Sequence, residues 1–395
     1  MRFPQPGFSK EAWLVPSEWG MARFYRSYND IPELIWEEFC SQQWKDHRFT
    51  RVVESTLPSG IEFFYILLTD TTNIIIGLQS GFIMRQDLAL GFPSFLQQVL
   101  VVIRKKFPHF LQPRMFFIGS PAASGSLGNT NDTPMLTRAI LSFARSEKVS
   151  LLTFKEFPMH DRKALQSLRA CGFTAIASYP AVEMDLDFKD FEDYLSTKVG
   201  KATRKSLRRK FRSVDEKEPI RMECVSSISS ELERIQELYL QVFERAEEKF
   251  ERLTSDFFSA VSEQLSDRAR FFFWWQGETL IAFSLCFVHE GVFYDDYIGM
   301  DDRFAHELHL YYVTFRDQMK WALAHGLRRY YSTPMSYEPK LHLGFRLVPL
   351  DLYVRHTSPI INAIYGRLAK VFAPTVSEPV LKLFPNASSL EISPC

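Results

Sequence analysis

Three groups of side chains in this sequence are suited to chemistry. Asp295, Asp296 and Tyr297 stand together inside the aromatic stretch 291–298. A carboxylate can serve as a general base, and a phenol can donate to a developing oxyanion. In an unbroken strand Asp295 and Tyr297 point one way and Asp296 points the other with Tyr294, so a single carboxylate faces any one cleft. Neighbouring carboxylates beside Phe293 and Ile298 are expensive to bury alone, which predicts a polar cleft. The plainer alternative is a turn cap or an ion pair. The stretch 198–212 holds eight basic residues and no acidic one. On a helix, Lys201, Lys205, Arg208 and Arg212 share a face, opposite an apolar seam of Val199, Thr203, Leu207 and Phe211. Such an array suits phosphate, because Arg offers paired donors and Lys a mobile charge; the plainer alternative is a solvated face. The third group is the loop 119–128, GSPAASGSLG, where Gly119, Ser120, Gly125 and Gly128 precede a capped helix and can cradle an anion. Its alternative is a flexible connection.

The elements around these residues read as mixed α/β. Residues 271–275, 279–288 and 291–298 are aromatic and β-branched runs with short connections, which predicts antiparallel hairpins. Leu308, Tyr312, Phe315, Met319 and Ala322 then recur at helical spacing up to Gly326, and a strand is expected at 328–332. The first half repeats the plan: a hairpin at 62–68 and 73–82, a helix at 94–106, a strand at 115–119, and the loop. A helix at 135–146, opened by Asp132-Thr133-Pro134, leads to a strand at 150–154 and a helix at 161–170. Leu168-x-x-x-Gly172-Phe173 matches Lys340-x-x-x-Gly344-Phe345, and the helices at Leu136 and Leu308 share that offset. Each Gly-Phe precedes an expected closing strand, 181–186 and 347–354. An internal duplication follows, with domains at 1–190 and 191–356 and a tail from 357 to 395.

The meander, the helix and the strand after it resemble the GNAT acyltransferase fold. The stretch 198–212, the stretch 291–300 with its helix, and Lys340-Leu-His-Leu-Gly344-Phe345 together resemble the Fem-type peptidoglycan aminoacyltransferases over about residues 190–350. The resemblance implies tandem GNAT-like domains and amide formation on an amine acceptor such as a cell-envelope precursor. It also implies Lys340 near the transfer site, steadying the oxyanion. The donor is then acyl-CoA or aminoacyl-tRNA, and the acceptor a phosphorylated small molecule. Two departures stand out. Pro339 replaces a His common in the family. Residues 303–308, RFAHEL, keep the Arg of the CoA pyrophosphate turn but neither of its small residues. A non-catalytic phosphate-ligand-binding protein on the same fold is the alternative.

Bulk composition narrows the field. Basic and acidic residues number 47 each, so no whole-molecule field draws DNA, other nucleic acid or anionic lipid. Cys40, Cys171, Cys224, Cys286 and Cys395 form no CxxC pair, and His306, His309 and His342 show no metal spacing. The first ten residues lack a leader's apolar core, and no uncharged apolar run reaches membrane-spanning length, so a cytoplasmic protein is expected.

Overall fold

The computed structural model describes residues 13–40, 43–88, 94–130, 132–228, 230–246, 250–371 and 373–392. The first ten residues and Cys395, read above for a leader and for pairing, lie outside the described residues. The strands are β1 (Trp13–Ser17), β2 (Gly20–Tyr25), β3 (Glu62–Asp70), β4 (Ile75–Arg85), β5 (Arg114–Ile118), β6 (Leu151–Pro158) and β7 (Thr174–Ala177). They continue as β8 (Ala181–Asp185), β9 (Ile220–Val225), β10 (Ala269–Gln276), β11 (Thr279–His289), β12 (Val292–Met300), β13 (Arg329–Ser332), β14 (Arg346–Val348) and β15 (Leu350–His356). One sheet has the order β1-β2-β3-β4-β5-β6-β15-β7, the other β14-β8-β13-β12-β11-β10-β9.

The same plan appears in both. Antiparallel pairing runs from β2 to β5, and β5 then pairs with β6 in parallel. Antiparallel pairing runs from β9 to β12, and β12 pairs with β13 in parallel. Each parallel pair is linked by a helical crossover, as parallel strands require. The fold is α/β with tandem GNAT-like halves.

Chain contacts divide the protein into two units, residues up to 178 with 349–377, and residues 179–348 with 378–391. The closing strands differ from expectation. β8 lies in the second sheet, paired with β13 and β14, and β15 lies in the first, between β6 and β7. The run 347–354 is two strands, not one. Pro349 separates them and has no N–H to offer a ladder; its carbonyl accepts from Met159 N.

Two helices also differ from the sequence expectation. Residues 159–170 form two 3₁₀ turns and only a single α-helical turn, Ser167–Ala170. Buried Leu165 and Leu168 stand three apart, the spacing that eclipses in a 3₁₀ turn. The helix expected from Leu308 to Gly326 starts two residues later, as Leu310–Ala324, after His309 at φ +49°; a separate single turn, Asp302–Ala305, precedes it.

The second unit's core explains its strands. Phe272, Trp274, Cys286, Phe293 and Tyr330 line one sheet face and pack on Val313, Phe315, Met319 and Ala322 of the long helix Leu310–Ala324. Burying each such side chain contributes about 1.5–3 kcal/mol. The opposite face carries Phe283 and Tyr297 against Tyr239, Phe257 and Phe258 from the helices Leu232–Arg245 and Ser255–Gln264. In the first unit Phe64, Phe116, Phe143 and Phe154 build the equivalent core.

Candidate active site

Where β12 and β13 separate, the backbone creates a fork. Their parallel register runs from Val292↔Arg329 to Asp295↔Ser332 and stops there, while β12 continues to Met300. Thr333 holds the base of the fork: its N–H donates to Asp295 O (3.2 Å) and its hydroxyl to Asp296 O (3.0 Å). Asp295 is therefore the residue at which the sheet opens.

A bulge aims it. On the β11 side Leu285 pairs with Tyr297 and Cys286 with Asp295, so Asp296 has no register partner. An extra residue of this kind interrupts the alternation of faces. Asp295 consequently faces the long helix, toward Cys286 and Gln318. Tyr297 faces the other way, where its hydroxyl donates to Glu251 Oε1 at 3.2 Å. The expected sharing of one side by Asp295 and Tyr297 is thus corrected by the bulge. Asp296 takes part in the fork through its carbonyl.

The Asp295 carboxylate is held on both oxygens. Ser332 Oγ donates to Oδ2 (3.3 Å) and Gln318 Nε2 to Oδ1 (3.4 Å), while the Tyr330 hydroxyl donates to Gln318 Oε1 (2.9 Å) and orients that amide. Lys340 comes from the helix Tyr337–His342 and is only 6% exposed; its Nζ donates to Thr333 O at 2.5 Å. That helix is entered through Met335 (φ +76°) and Ser336 (φ +54°), two successive non-glycine residues in the left-handed region. Such conformations cost roughly 1–3 kcal/mol each and concentrate at functional sites. The Tyr337 hydroxyl, bonded to Pro180 O at 2.8 Å, anchors the helix start.

The two charges push each other's chemistry. Burial raises the Asp295 carboxyl above its usual range, and the Lys340 charge offsets part of that. Burial brings the Lys340 ammonium down to about 8, with Asp295 opposing. A base stronger than an ordinary carboxylate and an acid stronger than an ordinary ammonium thus stand at one fork, as catalytic pairs require.

The other expected residues divide. The basic helix is Lys201–Asp215, with Leu207, Phe211 and Val214 buried. It starts at Lys201 after the cap Gly200, three residues inside the expected range, and Val199 is buried ahead of it. Lys201, Lys205, Arg208 and Arg212 are exposed on one face. Arg208 is paired with Glu192 (2.6 Å), so the acid missing from the helix comes from the segment before it. Arg204 donates to Leu195 O and Ser196 O, where it satisfies a helix end.

The loop at 119–128 lies at the first unit's own fork, after β5. Gly119 N donates to Ser80 O (2.9 Å), Gly125 N to Lys155 O (3.0 Å) and Glu156 O (3.1 Å), and Gly128 N to Ser126 Oγ (3.0 Å). Those three amides are engaged within the protein. Gly119, Ser120 and Gly128 also line a cavity of about 40 Å³. In the second unit the turn at 303–308 is engaged as well. Arg303 N, Nε and Nη2 all donate to Asp301, which Arg234 also binds, and these bonds hold the Asp301 carboxyl at about 2. No His/Cys/Asp/Glu group among the described residues is arranged to hold a metal.

Ser332, Gln318 and Tyr330 were missed by the sequence reading. Gln318 carried a signal: it falls between Phe315 and Ala322 on the apolar face, where a lone amide needs a buried partner. Ser332 carried none, because its role depends on strand register.

Residues 201–339 match the family model described as an acetyltransferase (GNAT) domain. No curated protein matches the chain in sequence. Among solved structures, the chain is similar to FemX at TM-score 0.51 and 12% identity, over 88% of this chain and 99% of that one. It is also similar to the C-terminal domain assigned to a lysylphosphatidylglycerol synthetase of Agrobacterium fabrum, at TM-score 0.50 and 12% identity, over 86% and 93%. Residues 201–339 are thus similar to a GNAT acetyltransferase domain, and the chain as a whole shares the Fem-like GNAT fold.

Proposed function

We propose that the second unit is an N-acyltransferase whose reacting groups are Asp295 and Lys340. The observation that carries this reading is the convergence of the two at the β12–β13 fork with shifts toward their neutral forms. The acetyltransferase family match favours an acyl-CoA donor over aminoacyl-tRNA. The acceptor nitrogen attacks the thioester carbonyl carbon; the C–N bond forms to give a tetrahedral oxyanion, and its collapse breaks the C–S bond. Asp295 takes the proton released by the nitrogen, Lys340 steadies the oxyanion, and the thiolate leaves to be protonated. Asp296 and Tyr297 support the fork and its far face instead of touching the reacting atoms.

The amides of Gly119, Gly125, Gly128 and Arg303 are engaged internally, so the donor's phosphates are held by side chains in this reading. Exposed Lys201, Lys205 and Arg212 supply cations for a phosphate-bearing acceptor. One of the similar structures named above carries the name of a lysylphosphatidylglycerol synthetase, which fits such an acceptor. Acyl transfer is to be followed with acetyl-CoA and amine acceptors in wild type, Asp295→Asn and Lys340→Met. A loss of roughly 10²–10⁴-fold in kcat is expected for Asp295→Asn. Wild-type rates in both variants overturn the site. Ligand binding without turnover across all donors leaves the non-catalytic reading, which the engaged turn at 303–308 favours.

A further inference from the structure

The helix Pro359–Val371 packs on β15 and β7 of the first unit through one face, where Ala369 joins Ile176 and Val354. At 100° per residue the opposite side carries Ile360, Val371, Ile364, Leu368 and Ile361 in one continuous stripe about three turns long. These five are exposed, Ile360 by 80% and Val371 by 62%. Scattered single exposed apolar residues need no explanation, but a contiguous stripe of five does. Arg367 borders the stripe and is exposed, and the helix contains no Asp or Glu.

A second helix of the same unit repeats this composition. Ser94–Lys106 exposes Val99, Val101 and Val102, and Phe107 and Phe110 are exposed just beyond it. It too has no acidic residue, and it ends in Arg104, Lys105 and Lys106. Arg104 is bound to Asp87 at 2.7 Å, which leaves the exposed Lys105 and Lys106 to face outward. The chain as a whole is balanced, 47 basic to 47 acidic residues, so the purely basic character of both apolar helices is local.

We propose that the first unit docks on the surface of an anionic lipid bilayer through Pro359–Val371; Ser94–Lys106 offers the same chemistry. A short helix with an apolar stripe and basic flanks lies in the interface plane, its stripe among the acyl chains and its cations at the headgroups. No helix among the described residues is long and apolar enough to cross a membrane, so lying on the surface is the mode available to them. A second copy is the weaker occupant, because a two-fold contact sets each patch and its cations against the same patch of the partner.

The test is sedimentation of the full chain with phosphatidylglycerol-containing vesicles and with phosphatidylcholine-only vesicles, at low and high salt. Binding is expected with the anionic vesicles and weakened by salt, and it should fall roughly tenfold or more in Ile364→Glu/Leu368→Glu. Both positions are exposed, so thermal melting of this variant should match wild type; Arg367→Gln, which leaves the stripe intact, should weaken binding to a smaller extent. Absence of sedimentation with anionic vesicles, or equal sedimentation of wild type and the double variant, overturns the proposal. So does light scattering that shows a wild-type dimer converted to monomer by the double variant, which assigns the stripe to a second copy.

Discussion

Ser332 and Asp295 are the last register partners of the parallel pair β12–β13, and they are also joined side chain to side chain at 3.3 Å. The backbone that opens the fork therefore also supplies a donor to its carboxylate. A hydrogen bond to the charged form favours that form, so Ser332 helps lower a carboxyl that burial has raised.

Ser332→Ala should raise the Asp295 pKa further. If Asp295 acts as base, the acid limb of the kcat/KM profile moves to higher pH, while the plateau at high pH changes less. A pH–rate profile of the variant checks this; an unmoved acid limb would separate Asp295 from the base role. Gln318→Leu should shift the limb in the same direction, because it removes the other donor.

Lys340 makes a stability prediction with a definite sign. Its folded pKa, about 8, lies below the ordinary 10.5. Between those values the unfolded chain binds more protons than the native one, so the Lys340 contribution to stability rises with pH from about 8 to 10.5. Lys340→Met should flatten that rise. Asp295 behaves oppositely. Its raised folded pKa means that its stabilising contribution is lost as pH rises above 3.8 through the folded value. Denaturation curves over pH 7–11 for wild type and Lys340→Met measure the difference, and identical slopes would show that Lys340 is not desolvated. Stability lost to a charged pair that activity requires is the trade-off expected of an active site.

Much of this fold was legible in local residue pattern. The runs around Phe271, Phe283 and Phe293 are aromatic and β-branched with short connections, and each is a strand of the second sheet. The repeated offset from Leu136 to Leu308 matches helices that follow equivalent strands in the two units. What escaped notice depends on neighbouring strands. Asp296 is a bulge only because β11 has one residue fewer at that point, which no alternation within 291–298 reveals. Likewise Leu347 and Leu350 look like one strand until Pro349 sends them to different sheets. Asp295 and Lys340 were visible as residue types; Ser332 and Gln318, which hold the carboxylate, became visible only through register and packing.

The basic helix separates binding from stability. Lys201, Lys205 and Arg212 are exposed, so Lys201→Gln/Lys205→Gln/Arg212→Gln should change stability by no more than about 0.5 kcal/mol per site. If the face holds phosphate, the same variant should weaken binding of a polyphosphate ligand and reduce its salt slope. Titration at several salt concentrations reads this out, and an unchanged slope would leave a solvated face. Leu207→Ala is the opposite control. Leu207 is 2% exposed in the core, and its truncation should cost about 2–5 kcal/mol with little direct effect on ligand charge contacts.

Gly125 decides what the loop 119–128 does. A Cβ on this residue would stand 2.5 Å from Lys155 O and 2.4 Å from the Phe157 ring, so the backbone fits here only without a side chain. Its N–H is already bonded to two carbonyls of β6, and the loop fills the fork of the first unit where the equivalent fork of the second unit holds Asp295 and Lys340. Gly125→Ala should destabilise the protein by roughly 1–3 kcal/mol, the usual effect of overpacking. Thermal melting measures that loss. Titration of wild type with acyl-CoA should leave the amide resonances of Gly119 and Gly125 in place, because both donors are engaged within the protein. A large shift of either amide on adding acyl-CoA would mean that the loop opens to take the anion, and the first unit would then be a donor site in its own right.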